Sequence, residues 1–201
     1  MNKQEIAKQV ISQTNGIAKT SAFLEAGLSK TDVCTLCNQG YLERIRHGYY
    51  SLAEIEEMPE EQLLITLIPE GIVSLDSALF YHGYSDFAPR QWTIAVPRTV
   101  SRSKLRTDAL VFKAYYVPDE LHELGKTTKI INGVVVPIYD QERTICDCFK
   151  YRTKIDSELF NKAVHAYTAD AYKNLKNLSK YAKQLGVYKK VTELMEVMLN
   201  G

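Results

Sequence analysis

Between Lys3 and Leu52, three apolar-patterned segments are each closed by a glycine, and a strand, a His-Gly turn and a second strand follow at once. Few folds accept that succession. Ile6, Val10 and Ile11 form an i, i+4, i+5 stripe that predicts a first helix over residues 3–13, ended by Asn15-Gly16. Thr20 or Ser21 is placed to cap a second helix through Phe23 and Glu25, with Gly27 as its stop. Ser29 is placed to cap a third over residues 29–39, and Gly40 supplies the left-handed exit. Residues 41–46 read as a strand, His47-Gly48 as a turn and residues 49–52 as the returning strand. Two short helices joined by a glycine turn and followed by a hairpin predict a winged helix-turn-helix.

The chemistry of that block fits duplex DNA. On the third helix, Val33, Leu36 and Cys37 share one face, while Thr31, Thr35 and Asn38 fall on the opposite one at i, i+4 and i+7. A helix lying in the major groove needs hydrogen-bonding side chains outward: Asn pairs with adenine, Thr meets a thymine methyl or a phosphate, and Lys30 reaches guanine or the backbone. Ser29 or Thr31 is placed to grip phosphate at the helix N-terminus instead, and Lys19 and Thr20 join the expected DNA-binding set, Lys19 as a phosphate contact. The wing adds Arg44, Arg46 and His47, with simple alternation putting both arginines on one face and Tyr49 or Tyr50 inward.

Net charge is only +1, but it is segregated. Residues 1–52 carry +2, residues 53–149 carry −6, residues 150–190 carry +7 and the remainder −2. Localised positive surface is what attraction to phosphate requires. No apolar run approaches the roughly 18 residues of a membrane span, so no membrane partner is expected and the reading is a cytoplasmic protein. Four cysteines are too few for a disulfide scaffold.

The acidic stretch with Glu54, Glu56, Glu57, Glu60 and Glu61 around Pro59 reads as a connection, dividing the chain into a DNA-binding domain over residues 1–55 and a larger α+β domain over residues 56–201. In the latter, a helix is expected over residues 75–82 and strands over residues 91–97 and 110–117. Asn132-Gly133 between Ile130-Ile131 and Val134-Val135-Val136 predicts a two-residue type I′ hairpin. From Asp140 the pattern turns helical in four stretches, so the expected class is α+β, with a mixed sheet and a C-terminal group of helices.

Basic residues crowd this second domain: Arg98, Arg102, Lys104 and Arg106, then Lys150, Arg152, Lys154, Lys173, Lys176, Lys180 and Lys183. A basic face is expected there, suited to DNA, RNA or an acidic protein. Tyr151, Tyr167, Tyr172, Tyr181 and Tyr188 are interleaved with it, although aromatics at helical spacing more often belong to a core. Catalytic signals are poor. Cys34-x-x-Cys37 and Cys146-x-Cys148 read as structural thiols, the four histidines are isolated, and Gly83-Tyr84-Ser85-Asp86 reads as a helix stop. Asp76, Asp86 and Asp108 are too scattered to suggest a metal centre, so no enzyme activity, cofactor or metal is expected. Glu142-Arg143 reads as a structural ion pair or a helix start.

The blocks Gly16-Ile17, Ala26-Gly27-Leu28-Ser29 and residues 39–50 resemble the N-terminal domain of the bacterial AbiEi-type antitoxins. Residues 73–86, Ile94-Ala95-Val96-Pro97-Arg98 and residues 138–147, which contain Glu142-Arg143-Thr144, are similar to that family's later blocks. The resemblance spans nearly the whole chain. It implies a type IV toxin–antitoxin, phage-defence protein whose N-terminal domain binds repeats in its own promoter and represses the operon. It further implies that the C-terminal domain opposes a nucleotidyltransferase toxin without necessarily forming a stable complex with it. The alternative is a winged-helix regulator whose second domain senses a ligand or partner and has no toxin to oppose.

Overall fold

The computed structural model describes residues 2–55 and 58–200; Glu56 and Glu57 of the acidic stretch, beside the expected boundary, lie outside the described residues. The chain is α+β and divides into two compact units, Met1–Pro69 with Leu105–Leu110, and Glu70–Lys104 with Val111–Gly201.

The first unit runs α1 (Lys3–Gln13), β1 (Ala18–Lys19), α2 (Thr20–Glu25), α3 (Lys30–Asn38), β2 (Leu42–Arg46), β3 (Tyr49–Leu52) and α4 (Glu60–Leu67). Helices α1 and α3 each start in a capping box, Asn2 with Glu5 and Ser29 with Asp32. The expected cap of α2 is not made: Lys19 occupies the N-cap position without a side-chain bond, and Thr20 instead donates both its N–H (2.9 Å) and its hydroxyl (3.4 Å) to the Gly48 carbonyl. The strands form an antiparallel sheet in the order β1-β3-β2. Ala7, Val10, Ile11, Phe23, Val33, Leu36 and Leu42 fill the core beneath it. Burial of several such side chains, each contributing about 1.5–3 kcal/mol, holds the helices to the sheet. This is a winged helix-turn-helix. Helix α4 lies where the acid-rich sequence suggested only a connection; Pro59 stands at its N-cap and Glu60 and Glu61 suit its first turn.

The second unit holds β4 (Ile72–Val73), α5 (Leu75–His82), β5 (Trp92–Pro97), β6 (Phe112–Val117), α6 (Asp119–His122), β7 (Lys126–Ile131) and β8 (Val134–Tyr139). Helices α7 (Gln141–Lys150), α8 (Ser157–Ala169), α9 (Leu175–Gln184) and α10 (Tyr188–Asn200) complete it. Its sheet is mixed, in the order β6-β5-β4-β8-β7, with β5–β6 and β4–β8 parallel. The β7–β8 turn has φ of 47° at Asn132 and 81° at Gly133, the double positive φ of a type I′ turn. Thr93 fastens α5 to β5: its hydroxyl accepts from the Ser77 N–H (2.9 Å), and its own N–H donates to Ser77 Oγ (2.8 Å).

Helix α7 is buried almost throughout, including its charged residues. Arg143 is wholly buried: its Nε donates to Asp147 (3.1 Å), its Nη1 to the Leu121 and Leu124 carbonyls (2.7 Å each), and its guanidinium lies 4.1 Å from the Tyr139 ring centroid. Burial raises the Asp147 carboxyl above its usual range while Arg143 opposes that shift. The ion pair of the Glu142-Arg143-Thr144 block is therefore Arg143 with Asp147, one helical turn on. Glu142 instead accepts from the Tyr167 hydroxyl (3.2 Å) and the Asn174 N–H (2.7 Å), tying α8 and the start of α9 to α7. Gly125 has φ of +73°, and a Cβ there would stand 2.5 Å from Arg143 Cβ, so only glycine permits this approach.

Candidate nucleic-acid interface

Helix α3 buries Val33 and Leu36 and turns Lys30, Thr31, Cys34, Thr35 and Asn38 outward. Cys34 was absent from the sequence-derived face, yet its i+3 spacing from Thr31 places it there. It is an exposed free thiol, small and weakly polar enough to meet a thymine methyl. The Thr35 hydroxyl donates to the Thr31 carbonyl (2.9 Å), so its proton is used and its oxygen remains able to accept. Ser29 is engaged in the cap: its Oγ accepts from the Asp32 N–H (3.1 Å) and donates to Asp32 Oδ2 (2.7 Å). Lys3 pairs with Asp32 Oδ1 (2.5 Å), and this bond, with those from Ser29, holds the Asp32 carboxyl far below its usual range. The helix start thus carries a permanent negative charge that Lys3 neutralises.

A bulge shapes the wing. The pairing runs Arg44 with Tyr50 and then Arg46 with Tyr49, so Ile45 is the extra residue. Tyr49 and Tyr50 point to opposite faces, and each arginine shares the face of its partner. Alternation had put Arg44 and Arg46 together; the bulge separates them. Arg46 lies over the Tyr49 ring at 4.5 Å, where β1 also brings Lys19 at 5.6 Å. Tyr50 packs inward, edge-on to Phe23 at 6.0 Å. Arg44 stays exposed, and its charge is felt by the Cys37 thiol of α3, which burial pushes up and Arg44 pulls down. His47 is exposed at the turn, while Thr20 beneath it is committed to Gly48.

In the second unit the basic residues fall into separate groups. Lys154 lies 5.9 Å and 5.6 Å from the ring centroids of Tyr115 and Tyr151, an edge-to-face pair 4.9 Å apart, and the charge of Arg98 is felt at Tyr151 and at Lys150. Lys113, which sequence reasoning missed, joins them at 5.1 Å from the Tyr115 centroid. Burial lowers the pKa of Lys150, and Arg143 and Arg98 push it further down against the pull of Asp147. Among the described residues, no carboxylate forms an ion pair with Arg98, Lys113, Lys150 or Lys154. Lys176, Lys180 and Lys183 line α9, with Lys173 just before it bonded to the Asp170 carbonyl (3.0 Å). Arg152 lies over Phe160 at 4.4 Å, Lys104 reaches Glu70 at 3.9 Å, and Arg102 is exposed. Arg106 lies on the segment that belongs to the first unit. Of the interleaved tyrosines, Tyr167 and Tyr181 are core, whereas Tyr172 and Tyr188 are exposed.

Among the described residues, no cluster of three His, Cys, Asp or Glu side chains is arranged to hold a metal, and no helix is long and apolar enough to cross a membrane.

Fold and surface together define an α+β protein that carries a winged helix-turn-helix with an outward polar face. The crystal structure of the RV2827C protein from Mycobacterium tuberculosis is similar to 88% of this chain and 70% of its own, with a TM-score of 0.60 and 13% sequence identity. At that identity the likeness is one of fold. No protein-family model and no curated protein matches the chain.

Proposed function

We propose that this is a cytoplasmic, duplex-DNA-binding repressor of its own operon that also serves as the antitoxin of a type IV, phage-defence pair. The observation that carries the DNA reading is the exposed set Lys30, Thr31, Cys34, Thr35 and Asn38 on α3, beside a wing bearing Lys19, Arg44, Arg46 and His47. In this reading Asn38 pairs with an adenine, Thr31, Thr35 and Cys34 line thymine methyls, and Lys30 with the wing cations holds phosphates. Because residues 1–52 carry only +2, sequence-blind affinity is modest and useful binding depends on base contacts and paired half-sites. The antitoxin role rests on the family resemblance of the whole chain, and the cations around Tyr115 and Tyr151 are the second unit's contribution to it. Its functional partner is a nucleotidyltransferase.

The test is binding to the chain's own promoter region. Asn38→Ala should relax preference at one base pair, costing about 1–3 kcal/mol there; an equal loss on every sequence would remove the base-reading role. In cells expressing the neighbouring nucleotidyltransferase, the full chain should restore growth. Failure to restore it would leave a DNA-binding regulator alone.

A further inference from the structure

Helices α9 and α10 leave an open apolar groove of about 280 Å³ between them, lined chiefly by Leu175, Leu178, Tyr188, Val191 and Met195, with Glu196 the charged residue of the lining, on the α10 side. Leu178, Val191 and Met195 form a buried floor, while Leu175 and Tyr188 stand at the rim, 45% and 42% exposed. Large apolar side chains left this open on a packed helix pair are characteristic of a recognition surface. A lysine stripe runs alongside. Lys176, Lys180 and Lys183 follow one another at i, i+4 and i+7 on α9; Lys176 and Lys180 each succeed a groove residue, and Lys183 lies one turn from Ser179. Lys183 closes one end of the groove, its ammonium 5.0 Å from the Tyr188 ring. None of these three lysines forms an ion pair among the described residues.

We infer that this groove docks an amphipathic helix of a partner protein, with its apolar stripe in the groove, acidic residues along the one flank that faces Lys176, Lys180 and Lys183, and no acid on the flank towards Glu196. The groove supplies the apolar contact and the unpaired lysines select the sign of the flank that faces them. The inference stands apart from the DNA reading and gives the second unit a direct protein contact.

The experiment uses the full chain and a fluorescein-labelled synthetic helix of about 16 residues, with Leu at i, i+3, i+7 and i+10 and Glu at the flanking positions of one side only, followed by anisotropy. A second peptide carries Lys at those positions. The acidic peptide should bind, and the basic one at least about tenfold more weakly. Leu175→Asp and Tyr188→Ser, both at the exposed rim, should each weaken the acidic peptide about tenfold or more. Exchange of Lys176, Lys180 and Lys183 for Gln should weaken it about fivefold and flatten its salt dependence. Operator binding by Leu175→Asp should be unchanged. Equal binding of the two peptides, indifference to the rim and lysine variants, or sedimentation showing a dimer that Leu175→Asp dissociates would overturn the proposal.

Discussion

Arg46 and Arg143 each lay a guanidinium over a tyrosine ring, at 4.5 Å on the wing and 4.1 Å in the second unit, and burial gives the two pairs different work. Arg46 sits half-buried on a hairpin whose outer face also gathers Lys19. Arg143 has no exposed surface; its charge meets Asp147 and two carbonyls, and its removal would strand a carboxylate in the core. The same residue pair is a structural clamp inside, whereas at the surface it is left where the proposed DNA reading would have it hold phosphate. In the second unit, then, the block Glu142-Arg143-Thr144 maintains the fold.

The contrast predicts a graded series. Arg143→Met should cost about 3–5 kcal/mol in urea unfolding, because Asp147 is left buried without its partner. A loss under about 1 kcal/mol would place the pair with ordinary surface ion pairs. Gly125→Ala combines a left-handed φ with the approach to Arg143 and should cost about 2–3 kcal/mol; near-neutrality would mean that the loop yields freely.

Tyr181→Phe should cost about 1 kcal/mol at neutral pH by loss of the bond to Asp140 (3.0 Å). Burial and the Asp140 carboxylate push the Tyr181 phenol up to about 12, from 10.0 for an ordinary tyrosine. The folded state therefore keeps that proton where the unfolded chain releases it. Stability from this group is fully present below pH 10 and is lost between pH 10 and about 12. In thermal melts across that window the variant should decline less steeply than the parent, and parallel curves would contradict the assignment.

Arg46→Ala should change stability by no more than about 0.5–1 kcal/mol yet lower the salt slope of operator binding by about 1. Because the bulge turns Arg44 to the other face, Arg44→Ala is expected to act independently of it. An unchanged slope in the double variant would take the wing out of the interface.

Much of the first unit was legible because its signals are local. Ser29 at a helix start, glycines at helix ends and the i, i+3 pair Val33 and Leu36 act within a few residues of themselves, and Asn132-Gly133 sets its own turn. Strands β1 and β4 are only two residues long, too short for any period to appear. Helix α4 was hidden because glutamates beside a proline serve a helix start as well as a loop. The Arg143–Asp147 spacing of four did carry a signal, but its burial did not.

The sequence by itself determined the order of helices and turns in the winged helix, the outward set Thr31, Thr35 and Asn38, and the excess of positive charge over residues 150–190. These depend on backbone preference and periodicity, which act along the chain. Only the tertiary structure decided that Arg44 and Arg46 part at Ile45, that Lys113 and Lys154 meet at the Tyr115 ring, and that Arg143 is buried while the α9 lysines border an open groove. Strand pairing, desolvation and convergence of distant segments are long-range effects, and no local residue pattern encodes them.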